Sequence, residues 1–65
     1  MSFAENLKIM RKNIKLDQST LASKLNVSPK TVSHWETGYT EPSITQLIIL
    51  ADFFDTTIAE LVDRK

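Results

Sequence analysis

Apolar residues recur along this chain at three- and four-residue spacings, and polar capping residues divide the pattern into five short amphipathic segments. Phe3, Leu7 and Met10 stand four and three apart, which predicts a first helix over residues 2 to 13. Ser2 and Glu5 have capping-box spacing, and Ile14 and Leu16 are expected to pack the helix exit. Asp17 is a good N-cap for a second helix starting at Gln18, in which Leu21, Ala22 and Leu25 form a narrow apolar stripe. The small Ala22 lets another helix cross closely. Asn26 stands where the chain must leave that helix, and Asn tolerates left-handed backbone better than any residue but Gly. Val27 then plugs the core, Ser28 caps a third helix, and Pro29 takes its first position, where a missing N–H costs nothing. Gly38 ends that helix where a positive φ is cheap.

The third helix has two different faces. Val32 and Trp35 point inward with Glu36 toward the buried side, while Lys30, Ser33, His34 and Thr37 form one outward polar stripe. Two short helices joined by a tight turn, the second carrying short donors and acceptors outward, can present that second helix to a DNA groove. Ser43, with Gln46 three residues on and Pro42 before it, caps a fourth helix whose apolar face is Leu47, Leu50, Ala51 and Phe54. Ile48, Ile49 and Phe53 are surplus to that face; the expectation is that the core absorbs them, the other use being a partner interface. Thr57 and Glu60 are spaced as a capping box for a short fifth helix with Ile58, Leu61 and Val62 apolar. With one Gly and little turn chemistry for strands, the expected architecture is all-α, five helices around one core.

The runs LKIMRK, LDQSTLASKLNVSPKTVSHWETG, EPSITQLIILADFF and TTIAELV resemble the Cro/repressor type of helix-turn-helix protein, also called the xenobiotic-response-element family, over nearly the whole chain. The ordered set carries the resemblance: Gln18, Leu21 and Ala22, then Val27 and Ser28, then Trp35, Glu36 and Gly38. It implies a compact five-helix lambda-repressor-like domain with the helix-turn-helix at helices two and three, and a sequence-specific transcriptional regulator, expected to be a repressor, reading double-stranded DNA with residues 29 to 36. By resemblance Gln18 and Ser28 contact the phosphate backbone, a role that also suits helix N-termini. Pro29, Lys30, Ser33 and His34 face base edges. Lys30 suits guanine O6 or N7, His34 a purine edge, Pro29 a thymine methyl, and Thr31 a methyl or phosphate. Thr37 completes the outward stripe, and Tyr39 and Thr40 match a backbone-contact region. Arg11 and Glu36 match a partly buried ion pair bracing the first helix against the third. The chain departs from the family at Lys15 and Asp55, where Gly is common. Lys15 must either take a positive φ or change the exit geometry.

Composition narrows the picture. At 65 residues the chain is expected to be one domain, residues 1–65, and a domain this small buries only about 60% of its unfolded surface. A homodimer would therefore be useful, and one on a palindromic operator would double a short recognition site. Phe53, Ile58, Leu61 and Val62 are the expected interface, far from the reading helix. No Cys is present, so disulfides and thiolate metal sites are excluded. No apolar run approaches membrane-spanning length and no secretion signal opens the chain, so a cytoplasmic protein with no membrane partner is expected.

Formal net charge is zero, which opposes DNA binding, but the charge is unevenly placed. Residues 7 to 34 hold Lys8, Arg11, Lys12, Lys15, Lys24 and Lys30 against Asp17 alone, whereas residues 36 to 63 hold Glu36, Glu41, Asp52, Asp55, Glu60 and Asp63 with no Lys or Arg. The local potential of the basic half then matters more than the sum. A single His has too few companions for a metal site and no orienting partner for catalysis, so neither cofactor nor enzymatic activity is expected. The rival reading is a protein-interaction module or antitoxin with weak or no DNA binding, using the acidic, apolar half against a protein partner or anti-repressor.

Overall fold

Every helix begins where a short polar side chain accepts a hydrogen bond from an amide three residues on, satisfying a donor that has no partner within the helix. The bonds run to Ser2 from Glu5, to Asp17 from Thr20, to Ser28 from Thr31, to Ser43 from Gln46 and to Thr57 from Glu60, at 3.3, 2.7, 3.1, 3.2 and 3.1 Å. The structure is a computed structural model and describes residues 2–62, so Asp63 lies outside the described residues. The elements are α1 (Phe3–Asn13), α2 (Gln18–Leu25), α3 (Pro29–Thr37), α4 (Ile44–Phe53) and α5 (Ile58–Leu61), with no strand among the described residues. Complete capping boxes close at Ser2 with Glu5 and at Ser43 with Gln46. The box expected at Thr57 is half formed: the Glu60 carboxylate accepts instead from the hydroxyls of Thr56 and Thr57, at 3.0 and 3.3 Å.

The helix ends share one device. After α1, α2, α3 and α4 the chain passes through a left-handed residue, Lys15 (φ 60°), Asn26 (φ 61°), Gly38 (φ 80°) and Asp55 (φ 54°). The following amide then reaches back five residues: Leu16 to Arg11, Val27 to Ala22, Tyr39 to His34 and Thr56 to Ala51, at 3.3, 3.0, 3.0 and 2.9 Å. Lys15 thus adopts the positive φ itself. Relieving such strain should stabilise the fold. Left-handed backbone costs a residue with a Cβ about 1–2 kcal/mol, and the extra unfolded-state freedom of Gly gives back about half of that. Asp55→Gly is therefore expected to raise the melting temperature by about 3–6 °C, read by circular dichroism. An unchanged or lower melting temperature would mean that the turn is not strained.

All five helices contribute to one core of Leu7, Leu21, Ala22, Leu25, Val32, Trp35, Leu50, Ala51 and Leu61. α3 packs on α2 and α1, and α5 packs on α4 and α1. Asn6 adds a tie that no apolar pattern foretells, its Nδ2 donating to the Leu61 carbonyl at 2.9 Å. Three apolar expectations change. Ile14, Ile48 and Ile49 are exposed, because the inner side of α4 is already occupied by Leu50 and Ala51 and the α1 exit is sealed by Leu16. Phe53 and Phe54 are half-buried against the core, in edge-to-face contact with ring centroids 5.1 Å apart.

Candidate nucleic-acid interface

α2 and α3 meet at the turn formed by Asn26, Val27 and Ser28. Ala22 is fully buried there and lets α3 approach, and Val32 and Trp35 seat α3 on the core at 0% and 3% exposure. The opposite side of α3 is left to solvent. Ser28, Pro29, Lys30, Thr37, Tyr39 and Thr40 are exposed, and Thr31, Ser33 and His34 are partly so. The structure therefore gathers the nine sequence-predicted contact residues from position 28 to 40 on one short helix and its two flanks. Ser28 Oγ lies 2.9 Å from Thr31 Oγ1, so cap and first turn form one hydroxyl cluster at the positive end of the α3 dipole.

Beneath that helix lies a buried polar brace. Arg11 Nε and Nη2 donate to the two Glu36 oxygens at 2.6 and 3.0 Å, and Arg11 Nη1 donates to the Leu16 carbonyl at 2.7 Å. The bidentate geometry fixes both side chains, which are 10% and 2% exposed. Gln18 joins it, its Nε2 donating to Glu36 Oε1 at 3.1 Å. Sequence reasoning placed Gln18 on phosphate and missed this bond; nothing in the spacing signals it. The bond leaves a second amide N–H and the Gln18 oxygen without a protein partner among the described residues, held at the α2 start by a group that is itself clamped. Burial raises the Glu36 carboxyl, but the hydrogen bonds from Arg11 and Gln18 outweigh it and hold it below the usual carboxylate value. The Arg11 guanidinium is correspondingly raised, first by its bond to Glu36.

At the other end of α3 the ring of His34 lies against that of Tyr39, with centroids 4.7 Å apart. Lys8, Lys12, Lys15, Lys24 and Lys30 are exposed, as are Glu5, Asp17, Glu41, Asp52, Asp55 and Glu60.

The expected dimer residues do not form one free patch. Leu61 is fully buried and is a core residue, because a one-turn α5 must use its single inward position to attach to α1 and α4. Ile58 and Phe53 are half-buried against the core, and only Val62, at 38%, is properly exposed. Val62 borders an open groove of about 550 Å³ floored by Phe3, Trp35, Pro42 and Leu47. Among the described residues no group of His, Cys, Asp or Glu could hold a metal ion, and no helix is long and apolar enough to cross a membrane.

The helix-turn-helix family matches residues 7–61. The transcriptional activator BcrR of Enterococcus faecalis is 39% identical over 65 residues, covering 100% of this chain and 32% of its own length. The (S)-2-hydroxypropylphosphonic acid epoxidase of Streptomyces wedmorensis is 43% identical over 60 residues, 91% of this chain and 30% of its own. The chain thus spans about a third of the length of both relatives. Among solved structures, the P22 c2 repressor in complex with a synthetic operator superposes with a TM-score of 0.91 at 27% identity, covering 97% of this chain and 96% of that one.

Proposed function

The chain belongs to the Cro/repressor type of the helix-turn-helix family, and from that premise we propose that it is a sequence-specific regulator of transcription that reads the major groove of double-stranded DNA with α3, acting as a repressor in the cytoplasm. One observation carries the reading. The Lys30, Ser33, His34 and Thr37 face stands free on a helix seated from beneath by Val32 and Trp35 and braced by Arg11, Glu36 and Gln18. A helix held this rigidly has prepaid the ordering its side chains need to discriminate bases. The P22 c2 repressor was seen with its operator, which supports the same use of the same fold. Within this proposal Lys30, Ser33, His34 and Pro29 face base edges, while Gln18, Ser28, Thr31, Thr37, Tyr39 and Thr40 position the backbone. No step needs a cofactor or a catalytic group. The likeness to the epoxidase lies within 30% of that enzyme's length.

A single α3 spans few base pairs, and a chain of zero net charge adds little non-specific affinity, so the proposal includes a homodimer on a palindromic operator. Its interface is reduced from the sequence expectation to Val62 with the flanking parts of Phe53 and Ile58, since Leu61 is inside. Val62→Lys is expected to shift sedimentation toward monomer and weaken operator binding with helix content unchanged. An unaltered association constant would place the interface elsewhere. A second reading, a protein-interaction module or antitoxin, draws on the exposed Ile44, Ile48 and Ile49 within the acidic half. Selection of bound duplexes from a random pool separates the two. The regulator enriches a two-fold symmetric motif with half-sites about one helical turn apart, roughly 34–36 Å; the interaction module leaves the pool unchanged.

A further inference from the structure

The imidazole of His34 and the phenol ring of Tyr39 lie with centroids 4.7 Å apart and planes inclined at 58°, within the range of favourable tilted aromatic pairs. The contact exists because of how α3 ends. Gly38 turns the chain left-handed, and the amides of Tyr39 and Thr40 then donate to the His34 carbonyl at 3.0 and 3.3 Å, joined by the Thr37 hydroxyl at 3.2 Å. With the Gly38 amide, which also donates to that carbonyl, these donors fix the backbone from which the imidazole hangs, and the phenol ring fixes the imidazole. Tyr39 is itself 76% exposed, so the ring covers His34 and buries little else. Among the described residues neither the His34 ring nitrogens nor the Tyr39 hydroxyl has a hydrogen-bond partner, which leaves the imidazole nitrogens free to bond a ligand.

We propose that Tyr39 is a positioning residue for base readout: it holds the His34 ring through the tilted ring contact so that a ring N–H is aimed at one guanine of the bound site. The inference rests on α3 being the reading helix. An unsupported histidine on a helix surface samples several rotamers and must be ordered on binding, whereas a ring held against Tyr39 has fewer to lose. Guanine is the matching base because its major-groove edge offers two adjacent acceptors, N7 and O6. Adenine offers N7 beside an amino donor that opposes the imidazole N–H. Tyr39 would on this account act on sequence preference rather than only on the phosphate backbone.

The test is selection of bound duplexes by the full chain and by His34→Ala, Tyr39→Ala, Tyr39→Phe and the double variant His34→Ala/Tyr39→Ala. Because Tyr39 is exposed, its variants should keep the circular dichroism and melting curve of the parent. Tyr39→Ala and His34→Ala are each expected to reduce the preference for guanine over adenine at the same base pair by about tenfold, with the other positions unchanged. The double variant should lose no more than either single one, and Tyr39→Phe, which keeps the ring, should retain the preference. A Tyr39→Ala chain that binds all sequences more weakly while keeping the parental base preference would overturn the inference and leave Tyr39 as a backbone contact. A parental chain that itself shows no base preference would overturn the proposed function instead, so the two failures are distinguishable.

Discussion

Trp35→Ala is expected to leave the chain largely unfolded at 25 °C. The indole is 3% exposed and belongs to the buried core. On one side it floors the groove with Phe3 and Leu47, and on the other it packs toward Leu25, Val27 and Leu50, with a gap of only about 10 Å³ between them. Removing a buried Trp costs about 3–5 kcal/mol, through lost transfer energy and the cavity that remains. A domain of this size has about 3–10 kcal/mol in total. Loss of the far-ultraviolet helical signal, or a urea midpoint near zero, is the predicted observation. Trp35→Phe, which keeps most of the volume, should remain folded with a lowered midpoint. A native-like melting curve for Trp35→Ala would place the indole at the surface and reverse the face assignment of α3.

Breaking the Arg11–Glu36 pair comes next in expected effect. With both side chains almost fully covered, Arg11→Ala leaves a buried carboxylate that keeps the Gln18 hydrogen bond but loses its ion-pair partner, and undercompensated buried charges of this kind cost about 3–5 kcal/mol. Replacing both by apolar residues of similar length, Arg11→Met with Glu36→Leu, should cost much less, since no charge is then stranded. The pair also sets a pH dependence. The folded-state carboxyl of Glu36 is lowered from the ordinary 4.5, so its contribution is fully present above that value and is lost as pH falls below it toward the folded-state value. The parental urea midpoint is therefore expected to fall on acidification from pH 5 downward, and Glu36→Gln should flatten that fall. Equal slopes in the two proteins would assign the acid sensitivity to other carboxylates, of which Asp17, lowered by the Thr20 amide, is the nearest candidate.

The helices were legible because each has a local start signal, and α2 and α3 have a local stop as well. Ser2, Asp17, Ser28, Ser43 and Thr57 stand one residue before the helices they cap, and Asn26 and Gly38 are the residue types that a left-handed exit favours. Lys15 and Asp55 were legible only through resemblance, since neither side chain advertises a positive φ. α4 was harder. A ten-residue helix with apolar residues nearly all round has no sharp face, so periodicity could not say that Leu50 goes in while Ile48 and Ile49 stay out. Leu61 shows the opposite failure: its neighbours Ile58 and Val62 are equally apolar, and only the packing of a single turn against α1 and α4 decides which one is buried. In the reading region, the exposed stripe of α3 followed from 3.6-residue periodicity, but the Gln18 bond to Glu36 and the His34–Tyr39 stack did not. Both join residues through three-dimensional closeness that helix periodicity does not encode.

The central claim, that α3 reads bases while the helix starts hold phosphates, is tested most directly by measuring Lys30→Ala and Gln18→Ala against a selected duplex and its single-base variants. Lys30 is exposed on the outward stripe and Gln18 stands at the first position of α2, so the two should fail differently. Fluorescence anisotropy across the panel should show Lys30→Ala losing about 1–3 kcal/mol of discrimination at one base pair while the variant sites are bound nearly as before. Gln18→Ala should weaken every duplex by the same factor. A uniform loss for Lys30→Ala, with no base pair singled out, would contradict the assignment of α3 as the reading helix.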